Sequence, residues 1–411
     1  MSSLTDTSRF FTHLRTHLTS HVLVTGETED FDPATLSAWS AEGFKVTYVP
    51  HITPQSAYIS SIKRTADAVV GVSERYAIVC FEDAATDILE KLQNGLPRLL
   101  AIVAYYPSAI SEPKRTSFPP NVSVLVHLCG EQNIGVRRTA EVLGIQGKMK
   151  TQKKRVDRGR GLGGGMDVGR RHGMGDGVGE GGMKVYVYPG TEGGFAESDL
   201  DEFDPVSCEL AWGRSLGVVR DALGMRVDVE GVRDGFVDEV KKNVEGAVGE
   251  MSEGAMVLCT PTMMGGIDDE SLEKFYEEFF NPTQHLIRRK LISRTMGPNQ
   301  IVDEVLVDFV HTEEMPWMLP NIPPTKNRVE IVIVSIVVVK GGRIFSERMY
   351  WDQASVLAQI GLLDPTLMPK QWKDKGVKKL PVVGSKAARA TTSGPDGDVE
   401  VNKLADGIKK M

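Results

Sequence analysis

The chain has 411 residues, enough for two domains that each bury a hydrophobic core. Its 25% charged and 41% hydrophobic content is typical of soluble globular proteins, and no apolar run reaches the length needed to cross a membrane. A formal net charge of −7 argues against a nucleic-acid partner. The four cysteines are scattered without a CxxC pair, which argues against zinc and against a disulfide framework. We therefore expect a cytoplasmic protein without metal, cofactor, membrane or nucleic-acid partner.

The first half of the chain alternates short apolar runs with helical patterns. Strands are predicted at His21–Gly26, Phe44–Val49, Tyr76–Phe81, Leu99–Tyr105, Val122–Leu128 and Lys184–Tyr188. Helices are predicted at 33–42, 56–70, 84–94 and 204–223. Strands that alternate with helices form a mostly parallel sheet covered on both faces, so the sequence predicts an α/β domain over residues 1–146 and 184–224.

A glycine-rich segment at 147–183 interrupts this domain. It begins with a basic run and lacks aromatic residues, so it cannot bury enough apolar surface to offset its chain entropy. Its GxGxxG matches follow a basic coil rather than a strand, which argues against a nucleotide site. We predict a disordered insertion, with an occasional RNA or phosphate contact as the alternative. Residues 225–265 read as a helical connector.

The last part of the chain predicts an α+β domain over 266–384, followed by a frayed tail at 385–411. An amphipathic helix at 271–280 carries its aromatic side chains on one stripe, and a strand follows at 301–312. Residues 329–339 are almost continuously β-branched and apolar, which predicts a strand buried on both faces. Gly341-Gly342 then permits a tight turn into a second strand at 343–351. A short helix is predicted from Ala354.

The string from PPT through GGRI and YWDQASVL to QIGLLDP resembles the end of a SnoaL-like domain, the cone-shaped α+β fold of polyketide cyclases and nuclear-transport-factor-2-like proteins. The resemblance implies a general acid/base at Asp352 in YWDQ and a partner at His311 in the His-Thr pair. Tyr350 and Trp351 could stack on a planar ligand, Arg348 could hold an anionic oxygen, and Glu304 completes the substrate-binding set. Asp352 is equally a candidate helix cap, and His311 a candidate structural residue.

The head and tail together resemble fungal two-domain proteins with a dienelactone-hydrolase-like head. The stretch YVYPGTEGGFAESDLDEFDP looks like the last strand and loop of that family. The resemblance places Glu82 at the nucleophile position, Glu131 near the acid position and Gly193 at the position of the catalytic histidine. A triad acts through its mutual geometry, so these replacements predict a head without hydrolase activity.

Three functions follow from these patterns. The first is acid/base chemistry on, or binding of, a lactone or polyketide-like ligand in the C-terminal cone. The second is a non-catalytic ligand-binding or dimerisation protein, with a homodimer formed through the C-terminal domain. The third is a dienelactone-type lactone hydrolase whose motifs have diverged. The sequence leaves open whether the protein is an enzyme.

Overall fold

The computed structural model describes residues 20–111, 118–130, 134–137, 152–154, 177–178 and 183–393. The chain divides into two units, Met1–Val227 and Asp228–Met411. The predicted disorder of 147–183 concerns mostly residues outside the described part of the chain, and it stays a prediction. Among the described residues, no helix is both long and apolar enough to cross a membrane.

The N-terminal unit contains ten strands and four helices within its described residues. The strands are β1 His21–Thr25, β2 Lys45–Tyr48, β3 Tyr76–Phe81, β4 Leu99–Tyr105, β5 Ala109–Ser111, β6 Ser123–Cys129, β7 Ile134–Arg137, β8 Gln152–Lys154, β9 Gly177–Val178 and β10 Met183–Tyr188. The helices are α1 Pro33–Ala41, α2 Gln55–Val69, α3 Glu82–Lys91 and α4 Pro205–Leu223.

The main sheet of this unit has the strand order β2-β1-β3-β4-β6-β10-β9. Its first six strands are parallel, and β9 pairs antiparallel at one edge. One core cluster joins the sheet to side chains of α2 and α3, such as Tyr58 and Ile88, and a second joins it to Trp39 of α1 and Leu216 of α4. The predicted parallel sheet with helices on both faces is confirmed. The strands β5, β7 and β8 form a separate small sheet.

The described residues of the C-terminal unit form six strands. These are β11 Met256–Cys259, β12 Met264–Gly266, β13 Arg288–Met296, β14 Gln300–Val310, β15 Arg328–Lys340 and β16 Arg343–Tyr350. Its helices are α5 Val229–Val240, α6 Val244–Gly249, α7 Asp269–Lys274, a π-helix Phe275–Phe280, a 3-10 helix Asn281–Leu286, α8 Gln353–Gln359, α9 Lys370–Lys373 and α10 Ser385–Thr392. The segment predicted as a connector thus supplies two helices and two strands to this unit.

The C-terminal sheet has the order β12-β11-β16-β15-β14-β13 and is mixed, because β11 runs parallel to β16 while the other pairs are antiparallel. Irregular register in β13 and in the β15–β16 hairpin marks bulges, which bend strands. Gly341 and Gly342 have φ values of 58° and 74°, the left-handed conformation that the predicted tight turn requires.

Two details of the C-terminal unit differ from the sequence predictions. Strand β15 alternates between buried and half-buried positions over most of its length, because only one face of the sheet is fully covered. A helix forms at Ser385–Thr392, where the sequence predicts frayed chain. This helix buries Ala388, and Arg389 donates hydrogen bonds to Glu330 of β15, so a contact distant in sequence stabilises it.

Candidate functional site

A layer of polar side chains crosses the covered face of the C-terminal sheet. Arg294 of β13 binds both carboxylate oxygens of Asp303 on β14, at 2.8 and 2.9 Å. On the neighbouring strands, Ser335 donates a 2.7 Å hydrogen bond to Oε1 of Glu347. Helix α5 lies over this layer, and its Arg233 donates to the same Glu347 oxygen at 2.5 Å. Charges at this depth are stable only when they are paired, and the two carboxylates of the layer each bind an arginine.

Tyr276 has a buried hydroxyl beside this network. The residue lies in the π-helix Phe275–Phe280 and is 2% exposed, and its hydroxyl has no hydrogen-bond partner among the described residues. Burial raises the pKa of the phenol well above its usual value; the charge of Glu347 raises it further, while Arg233 opposes the shift. Tyr276 is therefore a neutral hydrogen-bond donor next to a carboxylate, and π-helical turns often occur at functional sites.

Arg289 of β13 lies beside the ring of Phe280, which packs on Tyr276. Its side chain is exposed to solvent. Nevertheless, burial by surrounding protein atoms lowers the pKa of its guanidinium; Glu347 opposes this shift and Arg233 adds to it. Leu291, on the same face of β13, is 49% exposed and adds an apolar side chain beside Arg289.

Aromatic rings form one wall of the same region. The ring of Phe280 lies 5.8 Å from Tyr276 and 5.3 Å from Trp317, and Trp317 lies 5.5 Å from Trp351. The guanidinium of Arg289 lies 5.9 Å from the ring centroid of Phe280. The rings meet edge to face or tilted, with interplanar angles of 89°, 59° and 78°, and form an apolar cluster beside the Tyr276 hydroxyl and the Arg289 guanidinium.

Asp352 forms the cap of helix α8. Its Oδ1 accepts from the backbone N–H of Ser355 at 3.2 Å, and its Oδ2 accepts from the Ser355 hydroxyl at 2.6 Å. The residue is exposed. The sequence leaves open a catalytic role and a capping role for Asp352, and these hydrogen bonds are those of a helix cap. A catalytic role for Asp352 stays a prediction.

Asp352→Asn is expected to leave the free energy of unfolding nearly unchanged, because asparagine caps helices as well as aspartate does. Asp352→Ala is expected to cost about 0.5–2 kcal/mol, since two hydrogen bonds are lost. Urea unfolding of the two variants measures the difference. Equal stability of the alanine variant and the parent protein would contradict the capping role.

His311 is fully buried at the end of β14. Its Nδ1 accepts a 3.2 Å hydrogen bond from the backbone N–H of Thr325 and lies 3.1 Å from the Thr325 hydroxyl. Its Nε2 is buried without a hydrogen-bond partner in the described part of the chain. Burial lowers the pKa of the imidazole, so the ring is neutral near pH 7.

The strand register separates the two predicted acid/base residues. Val310, before His311, is opposite Arg328, whereas Tyr350 is opposite Val334. The two strand ends are thus six residues apart along β15, or about 20 Å at the usual rise. Both strands end toward the end of the sheet at which β15 begins. A site shared by His311 and Asp352 stays a prediction.

The predicted substrate-binding residues are distributed over both faces of the sheet. Glu304 is opposite Val334, which is opposite Tyr350, so these side chains share the less covered face with Arg348. Glu304 is exposed and accepts from Ser293 at 2.7 Å, and Tyr350 is 38% exposed. Trp351 instead is 9% exposed and packs on Trp317. Only Trp351 of the four lies with the aromatic wall beside Tyr276.

In the N-terminal unit, Glu82 lies at a strained turn between β3 and α3. Its φ of 52° is left-handed, and a sharp strand-to-helix turn of this kind exposes the nucleophile in α/β-hydrolases. Burial and the neighbouring Glu27 raise the pKa of Glu82 to about 7. The backbone N–H of the next residue, Asp83, donates to Glu27 Oε1 at 3.1 Å. A carboxyl group therefore stands where the resemblance implies a thiol or hydroxyl.

Of the other two implied triad positions, only Gly193 lies among the described residues, and it provides no base. Gly193 carries no side chain, although an added Cβ would come no closer than 3.9 Å to Tyr106, so there is room for one. Glu131 lies outside the described residues. Cys80 is fully buried in β3 and donates to the carbonyl of Val103, which makes it a core residue.

The part of the chain that the structure describes shows no metal-binding site. Within those residues, no group of three or more His, Cys, Asp or Glu side chains is arranged to hold a metal ion. Among the described residues near the aromatic cluster or at the strand ends, the Tyr276 hydroxyl and the Nε2 atom of His311 are buried polar groups without a hydrogen-bond partner.

Comparison with known proteins finds similar solved structures over about a third of the chain. A putative SnoaL-like polyketide cyclase from Jannaschia sp. CCS1 is 13% identical with a TM-score of 0.26, covering 34% of this chain and 98% of that one. IdmH, a putative polyketide cyclase from Streptomyces antibioticus, is 15% identical with a TM-score of 0.26, covering 33% and 99%. The epoxide hydrolase/cyclase-like enzyme SalBIII, of salinomycin pyran ring formation, is 14% identical with a TM-score of 0.23, covering 30% and 90%. No protein-family model matches the sequence, and no curated protein matches it.

The sequence places Tyr276 only within the aromatic stripe of the predicted helix at 271–280, and it does not single out Glu347 or Arg289. The signal in β16 was its alternation: Glu347 stands between Phe345 and Met349 on the same side of the strand. A carboxylate in an otherwise apolar row requires a buried partner, which here is Arg233. No comparable signal marks Tyr276, because its hydroxyl stands out only once the surrounding contacts are known.

Proposed function

We propose that the C-terminal unit binds a small organic molecule against the covered face of its sheet, with a lactone or polyketide-like compound as the ligand class. The observation that carries this proposal is the Tyr276 hydroxyl, which is buried and has no partner among the described residues. A buried polar group left unpaired costs about 1–3 kcal/mol, and a carbonyl oxygen of a ligand would supply the missing acceptor.

The surrounding residues would contact each part of such a ligand. The wall of Phe280, Trp317 and Trp351 would contact a planar body. Tyr276 would donate to a carbonyl, and its raised pKa keeps the proton on the phenol. Arg289 would attract an oxygen that becomes negative as a proton is removed from the ligand. Proton transfer at His311 and Asp352 remains part of the proposal as the acid/base step.

For the N-terminal unit, we propose an α/β-hydrolase-like frame that does not perform dienelactone hydrolysis. The support is the pair of positions Glu82 and Gly193: the first carries a carboxyl whose raised pKa leaves it largely protonated below neutral pH, and the second carries no base. A frame of this kind can persist without its chemistry. The diverged lactone hydrolase is the alternative, and it requires a nucleophile and base that these positions do not provide.

Tyr276→Phe is expected to weaken ligand binding by about two- to twelvefold, because one neutral hydrogen bond of about 0.5–1.5 kcal/mol is lost. The variant is expected to be at least as stable as the parent, since it removes an unpaired buried hydroxyl. A panel of coumarins and hydroxynaphthoquinones, screened by thermal shift and titrated by fluorescence, measures both quantities.

The matched control is Tyr76→Phe, which removes a buried tyrosine hydroxyl from the N-terminal unit. It is expected to leave ligand affinity unchanged. If Tyr276→Phe bound the same compounds as tightly as the parent, the hydroxyl would not be a ligand contact. If it lost several kcal/mol of stability, the hydroxyl would serve the fold instead.

A further inference from the structure

A lysine-rich loop of the C-terminal unit lies outside the site described above. The basic loop is defined here as residues 362–383. It contains five lysines and two aspartates, a net charge of 5 − 2 = +3, within a chain whose net charge is −7. The lysines are Lys370, Lys373, Lys375, Lys378 and Lys379. A local positive charge of this size in an acidic protein marks a surface that attracts anions.

The basic loop also exposes apolar side chains. Residues 369–379 are all exposed, and helix α9 within them has no buried residue. Leu367 is 72% exposed, Leu362 59%, Val383 44% and Trp372 43%. Within the described part of the chain, these apolar side chains are only partly covered by protein. A surface with exposed apolar groups among charges is typical of an interaction site.

The loop has a defined conformation. The backbone N–H of Leu380 donates to the carbonyl of Pro365 at 2.8 Å, which closes the loop at its base. Within it, Val377 N–H donates to the Trp372 carbonyl at 3.1 Å, and the Lys375 ammonium lies 4.7 Å from the Trp372 ring centroid. Because the loop is closed at its base, the exposed Trp372 ring, the aliphatic side chains and the ammonium groups lie in one compact loop on the surface.

We propose that the basic loop docks on an anionic lipid surface, with the lysines at the headgroups and Trp372 and Leu367 in the interfacial layer. The two kinds of side chain supply the two contributions that peripheral binding requires, electrostatic attraction and apolar burial. Tryptophan prefers the level of the headgroups, where its ring is buried while its N–H stays hydrated.

A nucleic acid fits the loop less well. The basic loop contains no arginine, the residue that binds phosphates and guanines with two parallel hydrogen bonds. Its leucine and valine side chains would have no apolar partner on a phosphate backbone, whereas the acyl region of a membrane accepts them. The sequence-based expectation of no membrane partner rested on the lack of a spanning segment, and surface docking requires none.

The test uses the full chain and vesicles of phosphatidylcholine with about 30% phosphatidylserine, against pure phosphatidylcholine vesicles. Of the five tryptophans, Trp39, Trp317 and Trp351 are buried, Trp212 is half-buried and Trp372 is exposed. We expect sedimentation with the anionic vesicles only, with a blue shift of tryptophan emission and quenching by brominated acyl chains. Trp372→Phe should still sediment but should lose the blue shift and the quenching.

Removing three charges together, Lys375→Gln with Lys378→Gln and Lys379→Gln, is expected to weaken vesicle binding by about a hundredfold, at roughly fivefold for each lysine near an anionic surface. The control removes three exposed lysines of the N-terminal unit, Lys45→Gln with Lys63→Gln and Lys91→Gln, and should bind as the parent does. Equal binding to both vesicle types, no vesicle binding, or full binding by the triple variant would each overturn the proposal. So would lysine-dependent binding to RNA without vesicle binding.

Discussion

Glu347→Ala is expected to destabilise the C-terminal unit by about 3–5 kcal/mol, because it leaves a buried guanidinium without its counter-charge. The carboxylate is 5% exposed and accepts from both Arg233 and Ser335. Its loss also removes the charge that links helix α5 to strand β16. Chemical unfolding followed by circular dichroism measures the change.

Two further variants test whether the loss of stability comes from the Glu347–Arg233 pair or from a general disturbance of the sheet. Glu304→Ala removes an exposed carboxylate from strand β14 of the same sheet and should change stability by less than about 0.5 kcal/mol. Adding Arg233→Met to Glu347→Ala should recover part of the loss, since the uncompensated charge is then gone. A Glu347→Ala cost no larger than that of Glu304→Ala would show that the pair does not stabilise the fold.

Trp317→Ala is expected to cost about 3–5 kcal/mol and to abolish ligand binding, because the indole is central to the aromatic wall. Trp317 is 1% exposed, packs on Phe280 and Trp351, and donates to the Thr283 hydroxyl at 3.0 Å. Truncation leaves a cavity and removes the hydrogen bond from the indole, while the Thr283 hydroxyl still donates to the carbonyl of Phe280. Unfolding and ligand titration, performed on the same preparation, measure both effects.

The matched control is Trp372→Ala, which removes an exposed indole from the same unit. It is expected to cost less than about 0.5 kcal/mol and to leave affinity for the ligand unchanged. If Trp317→Ala lost stability but bound the ligand as the parent does, the ligand would not contact this wall.

Elements with a strong local pattern could be predicted from the sequence. The buried strands of the N-terminal unit are continuous apolar runs, and the glycine pair Gly341-Gly342 permits the turn between β15 and β16. Their periodicity and turn chemistry suffice to define them. Helix α10 was missed because its stability comes from Ala388 and Arg389 packing on β15, a contact that no local pattern encodes.

The candidate site was predicted less completely, because it depends on register. Asp352 and His311 each end a strand, and the sequence does not show that the two ends are offset by six residues along β15. Trp351 was identified from its type and position. Arg289 was missed because its electrostatic interaction with Glu347 depends on how four strands pair in the sheet. The sequence does not show that the Tyr276 hydroxyl is buried without a hydrogen-bond partner, because this depends on how the whole unit packs.

The most direct test of the account is the environment of the Tyr276 ring when a ligand binds. With carbon-13 at the phenol carbon that bears the hydroxyl, the nine tyrosines give nine signals, and Tyr276→Phe identifies one by its loss. We expect this signal to shift on saturation with the tightest-binding coumarin or naphthoquinone, because the hydroxyl gains an acceptor. A saturated complex in which the Tyr276 signal does not move would contradict the proposed site.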